Sequence, residues 1–260
     1  MTYVTERLPP LLIGIAMLAA WEAAVRVLAV PPYILPGPIL VLQTLWDDGP
    51  LLLRSLRTTL EITFAALALA AAGGAVLAFV MTQSRWLERS LLPYAVVAQV
   101  TPVVAIAPLI ILWIDNAFLA LVACAWIVAF FPILANTIAG FRSADPNLRD
   151  LFRLYGAKRW QVQCLLEAPT ALPYFLAGLH ISGGLALIGA VVAEFVAGTG
   201  GTETGLAFRI LEAGYRLQTP RLFAALALLS AAGIAIHAAL GALSGYVLTR
   251  WHGRAAGDRR

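Results

Sequence analysis

The sequence predicts an all-α, polytopic membrane protein with six transmembrane helices, and three observations carry that reading. Of 260 residues, 61% are hydrophobic and only 12% are charged, about half the roughly 25% charge of an ordinary soluble domain. The mean hydropathy is +0.84. The third observation is a set of long uncharged stretches, at 8–21, 62–84, 90–114, 116–141, 168–193 and 222–249. A helix of about 20 apolar residues, rising about 1.5 Å each, crosses about 30 Å of hydrocarbon. So little polar sequence cannot cover a soluble surface of this size. The composition therefore excludes a disordered chain, a nucleic-acid-binding domain and almost any soluble enzyme.

Each element follows from the pattern. The first helix, near 9–30, continues apolar past Glu22 and Arg26, which sit four residues apart and can pair on one helix face. No small-x-small cleavage site follows it cleanly, so it reads as an uncleaved span rather than a signal peptide. The stretch 27–46 is uncharged but holds Pro31, Pro32, Pro36 and Pro38, and reads as an extended connection. Further spans are expected near 57–81, 91–113 and 117–140, with Asp115-Asn116 making the turn between the last two. A long loop, 141–172, precedes a span near 173–197. A second, 198–219, precedes the last span near 220–249.

The scarce charges set an orientation. Twelve Lys and Arg fall on one side of these spans: Arg7, Arg85, Arg89, five in the 141–172 loop and four after residue 249. Arg54, Arg57, Arg209, Arg216 and Arg221 fall on the other. The richer side is expected to be cytoplasmic, with both termini on it. This rule also accounts for the net charge of +4 and pI near 9.4, so no nucleic-acid partner is expected. Cys124 and Cys164 have neither zinc nor redox spacing, and no metal or cofactor is implied.

The 141–172 loop carries a helix signal. Asp145 can serve as N-cap with Pro146 at the first helical position. Leu148, Leu151, Phe152 and Tyr155 then form a one-sided apolar stripe, and Gly156 stands where a helix end wants a left-handed residue. A second short helix, about 157–166, is expected to end at Pro169 and Pro173. The stripe fits two roles, packing on the bilayer or bundle, or docking a cytoplasmic partner.

The run Asp150-Leu151-Phe152-Arg153-Leu154-Tyr155-Gly156-Ala157-Lys158-Arg159-Trp160 resembles the EAA loop of bacterial ABC-importer permeases. That loop reads Glu-Ala-Ala, three residues, Gly, nine residues, Ile, any residue, Leu-Pro. Gly156 and Pro169 match it and Leu166 stands for the Ile, whereas Asp150-Leu151-Phe152 replaces Glu-Ala-Ala and Ala168 replaces Leu. Pro102 with Ala107-Pro108-Leu109, Phe130-Phe131-Pro132-Ile133, Gly178-Leu179-His180-Ile181, Ala190-Val191-Val192-Ala193-Glu194-Phe195 and Thr202-Glu203-Thr204-Gly205-Leu206 resemble the nitrate, sulfonate and taurine branch. The likeness covers roughly residues 50–250.

The resemblance implies a type I permease bundle, residues 1–260 forming a single transmembrane domain in a bacterial inner membrane. It implies pairing as a homodimer over a separate cytoplasmic ATPase, with an extracytoplasmic binding protein delivering the solute. Asp150, Leu151, Phe152, Tyr155, Gly156, Ala157 and Pro169 would form the ATPase-coupling element. Solutes served by similar permeases include nitrate, taurine, alkanesulfonates, thiamine pyrimidines and riboflavin. Independently, the only Lys, Lys158, lacks the Gly-rich turn of a phosphate-binding loop. The chain reads as a transport subunit and not an enzyme.

Gln99, Thr101, Asn136 and Glu194 are the polar residues within apolar helices that could line a solute pathway. The alternative for Gln99, Thr101 and Asn136 is hydrogen bonding between helices, and for Glu194 a structural hydrogen bond near the headgroups. His237 shares a helix face with Gly233, Gly241 and Gly245, a close-packing pattern. A proton-coupled secondary transporter using Glu194 and His237 is the alternative. A hydrolase pairing of His180 with Ser182 is disfavoured, because an i, i+2 pair on a helix points two ways. Gly198-Thr199-Gly200-Gly201 is not a nucleotide loop. The helix suggested by Leu206, Ile210, Ala213 and Tyr215 would close the outer mouth or touch a binding protein.

Overall fold

A computed structural model describes residues 2–198 and 204–257, with side chains described at 9, 12–198 and 204–251. Every regular element among them is helical. In order these are α1 (Thr2–Val27), α2 (Pro38–Asp47), α3 (Gly49–Thr82), α4 (Arg85–Val100), α5 (Val103–Trp113), α6 (Ala117–Arg142), α7 (Pro146–Leu154) and α8 (Arg159–Val162). A π-helical turn (Gln163–Glu167) leads into α9 (Ala168–Ala197), followed by α10 (Leu206–Tyr215) and α11 (Thr219–Gly257). Gly198 closes α9 in the left-handed region at φ 55°. The segment 199–203, with part of the Gly-rich and Thr202–Leu206 motifs, lies outside the described residues.

Four described helices are long and apolar enough to cross a membrane: Gly49–Thr82, Ala117–Arg142, Arg159–Ala197 and Thr219–Trp251. The pair α4 and α5 makes a fifth if it is one bent span. A count of six needs α1 as well, a 26-residue helix where the first span is expected.

Three expectations are corrected. The straight helix near 91–113 is instead broken by 99° between α4 and α5. Pro102 has no N–H to continue the ladder and forces Thr101 into extended backbone, φ −71° and ψ 121°. The connection at 27–46 is not extended throughout. Its first prolines do hold Leu28–Gly37 out of helix, but Pro38 occupies the first turn of α2, where a missing N–H costs nothing. Finally, Pro169 and Pro173 do not end the 157–166 helix. The π turn shifts the hydrogen-bond register, so that the Ala168 N–H reaches the Gln163 carbonyl, and Pro169 falls in the first turn of α9.

The chain divides into two compact units, Met1–Thr58 with Thr199–Ala231, and Thr59–Gly198 with Ala232–Arg260. In the first, Val41 of α2 is buried with Leu52, Leu206, Ala224 and Ala225. Glu22 does more than pair with Arg26, at 2.6 Å. Its other oxygen accepts the Ile39 N–H at 3.2 Å, so α1 supplies the cap that Gly37 cannot give to α2. Arg221 binds Asp48 through two nitrogens, at 2.6 and 3.0 Å.

The second unit is built on α6 and α9, which run antiparallel with their backbones in close approach. A Cβ added at Gly140 would meet the Ala171 Cα at 2.8 Å. One at Gly178 would meet the Pro132 carbonyl oxygen at 2.9 Å, and one at Gly189 the Ala125 Cα at 2.8 Å. Three glycines, one on α6 and two on α9, thus hold the helices together over their length, the packing mode available where apolar burial against lipid gives no advantage. Ser182 donates to the Ala129 carbonyl at 2.6 Å on the same face.

Candidate functional site

Helix α7 is the candidate partner-docking element, and its local chemistry explains its shape. The Asp145 carboxylate accepts the Asn147 N–H at 2.8 Å, and Pro146 takes the first helical position. At the other end Gly156 adopts φ 70°, and the Ala157 N–H bonds back to the Phe152 carbonyl at 3.0 Å. That six-to-one bond and left-handed residue make a Schellman stop. The helix is therefore fixed to nine residues by its own sequence.

Arg149 fixes it in space. Its Nε lies 2.8 Å from Glu167 and its Nη2 donates to the Phe141 carbonyl at 2.7 Å, tying α7 to the end of α6 and to the π turn. Arg159 donates to the Thr82 carbonyl at 2.8 Å. Gln163, only 1% exposed, donates to the Phe79 carbonyl and the Thr82 hydroxyl oxygen, both at 2.7 Å. The segment after α7 is thereby bound to the end of the long helix α3.

The stripe residues are not packed beneath this scaffold. Leu148 and Leu151 are exposed, Tyr155 is 84% exposed, and only Phe152 is half-buried. Leu154, at 85%, extends the apolar surface. Asp150 pairs with Arg153 at 3.1 Å in solvent, a contact worth little stability. Asp150, Leu151, Tyr155 and Gly156 thus lie together on an exposed surface, with Ala157 half-buried beside them, while Pro169 is a helix-start residue of α9.

The other sequence candidates separate. Gln99 and Thr101 sit at the α4–α5 break, where the Thr101 hydroxyl donates to the Val97 carbonyl at 2.7 Å. Asn136 donates to the Pro132 carbonyl at 2.8 Å within α6, beside Gly178. Glu194 is 4% exposed and accepts from the Thr59 hydroxyl at 2.7 Å. His237 instead shares a hydrogen bond of 3.0 Å with His180, their rings 4.2 Å apart. His180 and Glu194 are fourteen residues apart on α9, about 20 Å along a helix. A direct Glu194–His237 relay is not formed, and Ser182 turns away from His180 towards α6. Among the described residues no cluster of three metal-ligating side chains occurs. The hold of Gln163 on α3 and the cap from Glu22 escaped sequence reasoning; a Gln beside a short basic helix signals only polarity.

The chain is a member of the binding-protein-dependent transport system inner membrane component family, whose pattern matches residues 70–256. It is 37% identical to the riboflavin transport system permease protein RibX of Chloroflexus aurantiacus, over 90% of this chain and 87% of the relative. It is 34% identical to the formylaminopyrimidine transport permease protein ThiX of Halalkalibacterium halodurans, over 94% and 96%. The taurine permease TauC of Escherichia coli is 28% identical over 91% and 87%. Among solved structures, an amino acid ABC transporter with histidines shares the fold, with TM-score 0.62, 18% identity, and coverage of 78% of this chain and 97% of that one. The chain is thus a multi-pass membrane permease component of an ABC importer for small solutes.

Proposed function

We propose that this permease imports a heterocyclic vitamin or vitamin precursor, of the riboflavin or thiamine-pyrimidine type, rather than nitrate, taurine or a sulfonate. The support is the order of likeness: 37% and 34% identity to permeases named for such rings, against 27–29% to those named for nitrate, taurine and aliphatic sulfonates. The solute would be delivered by a binding protein and driven by a separate ATPase.

One observation carries the mechanism: the apolar stripe of α7 is exposed although the helix is rigidly capped and anchored. An ordered, exposed apolar surface fits a groove on an ATPase subunit. Movement of the ATPase pair would pass through Arg149, Arg159 and Gln163 to α6, α9 and α3. Gln99 and Thr101, at the helix break, are the best-supported pathway residues, since irregular backbone at membrane depth is tolerated where it lines a cavity. Glu194 and Asn136 serve the helix contacts. The twelve basic residues support a cytoplasmic α7 side and cytoplasmic termini. Two copies would complete the path.

The test is uptake by vesicles holding the permease, its ATPase and its binding protein. Riboflavin or a formylaminopyrimidine should raise ATP hydrolysis and accumulate inside. Stimulation by taurine or nitrate alone would overturn the solute assignment.

A further inference from the structure

Behind α7, within the second unit, lies a cavity of about 680 Å³, inside the usual range of ligand pockets. Its wall carries six arginines, Arg85, Arg89, Arg142, Arg149, Arg153 and Arg159, against two carboxylates, Glu88 and Glu167. Both carboxylates are already engaged: buried Glu88 with Arg142, and Glu167 with Arg149. Among the described residues Arg153 pairs only with the solvent-exposed Asp150, and Arg159 donates to a neutral carbonyl. Arg85 and Arg89 make no ion pair among the described residues. The wall therefore holds a surplus of cation, part of it preorganised by the Glu88–Arg142 and Glu167–Arg149 pairs.

The chemistry that suits this wall is an oxyanion with several acceptors, and a phosphoryl group takes arginine forks bidentately. The first turn of α4, a 16-residue helix that begins at Arg85, adds its positive dipole end at the same place. Position argues for the source. Arg85 follows the apolar helix α3 by three residues, and the neighbouring Trp86 is 73% exposed. Aromatic side chains exposed just beyond an apolar span mark the headgroup layer.

We propose that this cavity binds the phosphate headgroup of an anionic membrane lipid, with Arg85 and Arg89 as the principal contacts. The site is independent of the transported solute. A bound headgroup would sit between the start of α4 and the α7–α8 segment, so lipid charge would bias the coupling loop.

The experiment uses the full chain in nanodiscs of phosphatidylcholine with increasing phosphatidylglycerol, and counts retained lipid by native mass spectrometry. A second arm titrates inorganic phosphate and pyrophosphate into neutral nanodiscs. Retained phosphatidylglycerol should appear in the wild type. It should weaken about thirtyfold in Arg85→Gln/Arg89→Gln, two basic contacts being lost. In Arg250→Gln, which removes an exposed basic residue elsewhere, it should persist. Equal loss in both variants would reduce the cavity to part of a general basic face and overturn the proposal. Binding of pyrophosphate but not of lipid would overturn the assigned source. Unchanged melting of the variants in neutral lipid separates lost binding from lost folding.

Discussion

The Gln163 side-chain nitrogen donates to the Thr82 hydroxyl oxygen at 2.7 Å, joining residues 81 positions apart. The same nitrogen donates to the Phe79 carbonyl, so the amide orientation is set by two acceptors. The contact links the π turn behind α7 to the last turn of α3. Replacing Gln163 by Leu removes both bonds, worth about 0.5–1.5 kcal/mol each, offset in part by loss of the buried Gln163 oxygen, which has no partner among the described residues. A lower melting temperature is expected, together with ATP hydrolysis that no longer responds to solute. Unchanged coupling in a folded Gln163→Leu protein would remove this bond from the transmission path.

Gly156 tests the loop by backbone rather than contact. Nothing lies within 4 Å of an added Cβ, so a substitution there meets no clash. Its φ of 70° is nonetheless a left-handed conformation that costs an L-residue about 1–2 kcal/mol. Gly156→Val should therefore fray the end of α7 and weaken ATPase association while the membrane helices fold. Limited proteolysis around residue 156 should speed up relative to wild type.

The α6–α9 face predicts a harsher result. A side chain at Gly189 meets backbone 2.8 Å away, and backbone cannot swing aside as a flexible side chain does. Gly189→Leu should cost more than the 1–3 kcal/mol usual for overpacking and abolish accumulation of folded protein. Gly245→Ala, with open space around it, should express normally. Fluorescence-detected size exclusion of the two variants makes the comparison.

Glu22 predicts a smaller, local effect. Glu22→Ala removes the acceptor for the Ile39 N–H and the Arg26 partner. Faster amide exchange should be confined to the start of α2, with helices of the second unit unaffected.

These elements also show which features of the chain can be read from sequence and why. Helix α6 is evident in advance because 116–141 is uncharged, although Asn116, which accepts the Leu119 N–H as its cap, reads from sequence only as a turn residue. The ends of α7 are local, written in Asp145, Pro146 and Gly156. The features that escape are those decided by a distant partner. Glu22 looks like half of an i, i+4 pair, and nothing within its own helix reveals that it caps α2. Pro38 and Pro169 look like helix breakers until a helix start, or a shifted register, gives each a place where its N–H is not needed. Pro102 is the opposite case, since the same residue type inside an unbroken apolar run bends the chain by 99°. At Glu194, the burial and the bond to Thr59, 135 residues away, are set by a distant helix and have no local signal.

The central claim is that α7 docks an ATPase through its exposed apolar stripe. Its most direct measurement is co-purification of the ATPase with the full-length permease, comparing wild type with Leu151→Asp/Tyr155→Asp. Both positions are exposed, so the variant should keep the wild-type melting temperature. The predicted result is that the folded variant loses the ATPase and all solute-stimulated hydrolysis. A folded variant that retains the ATPase and full stimulation would contradict the claim.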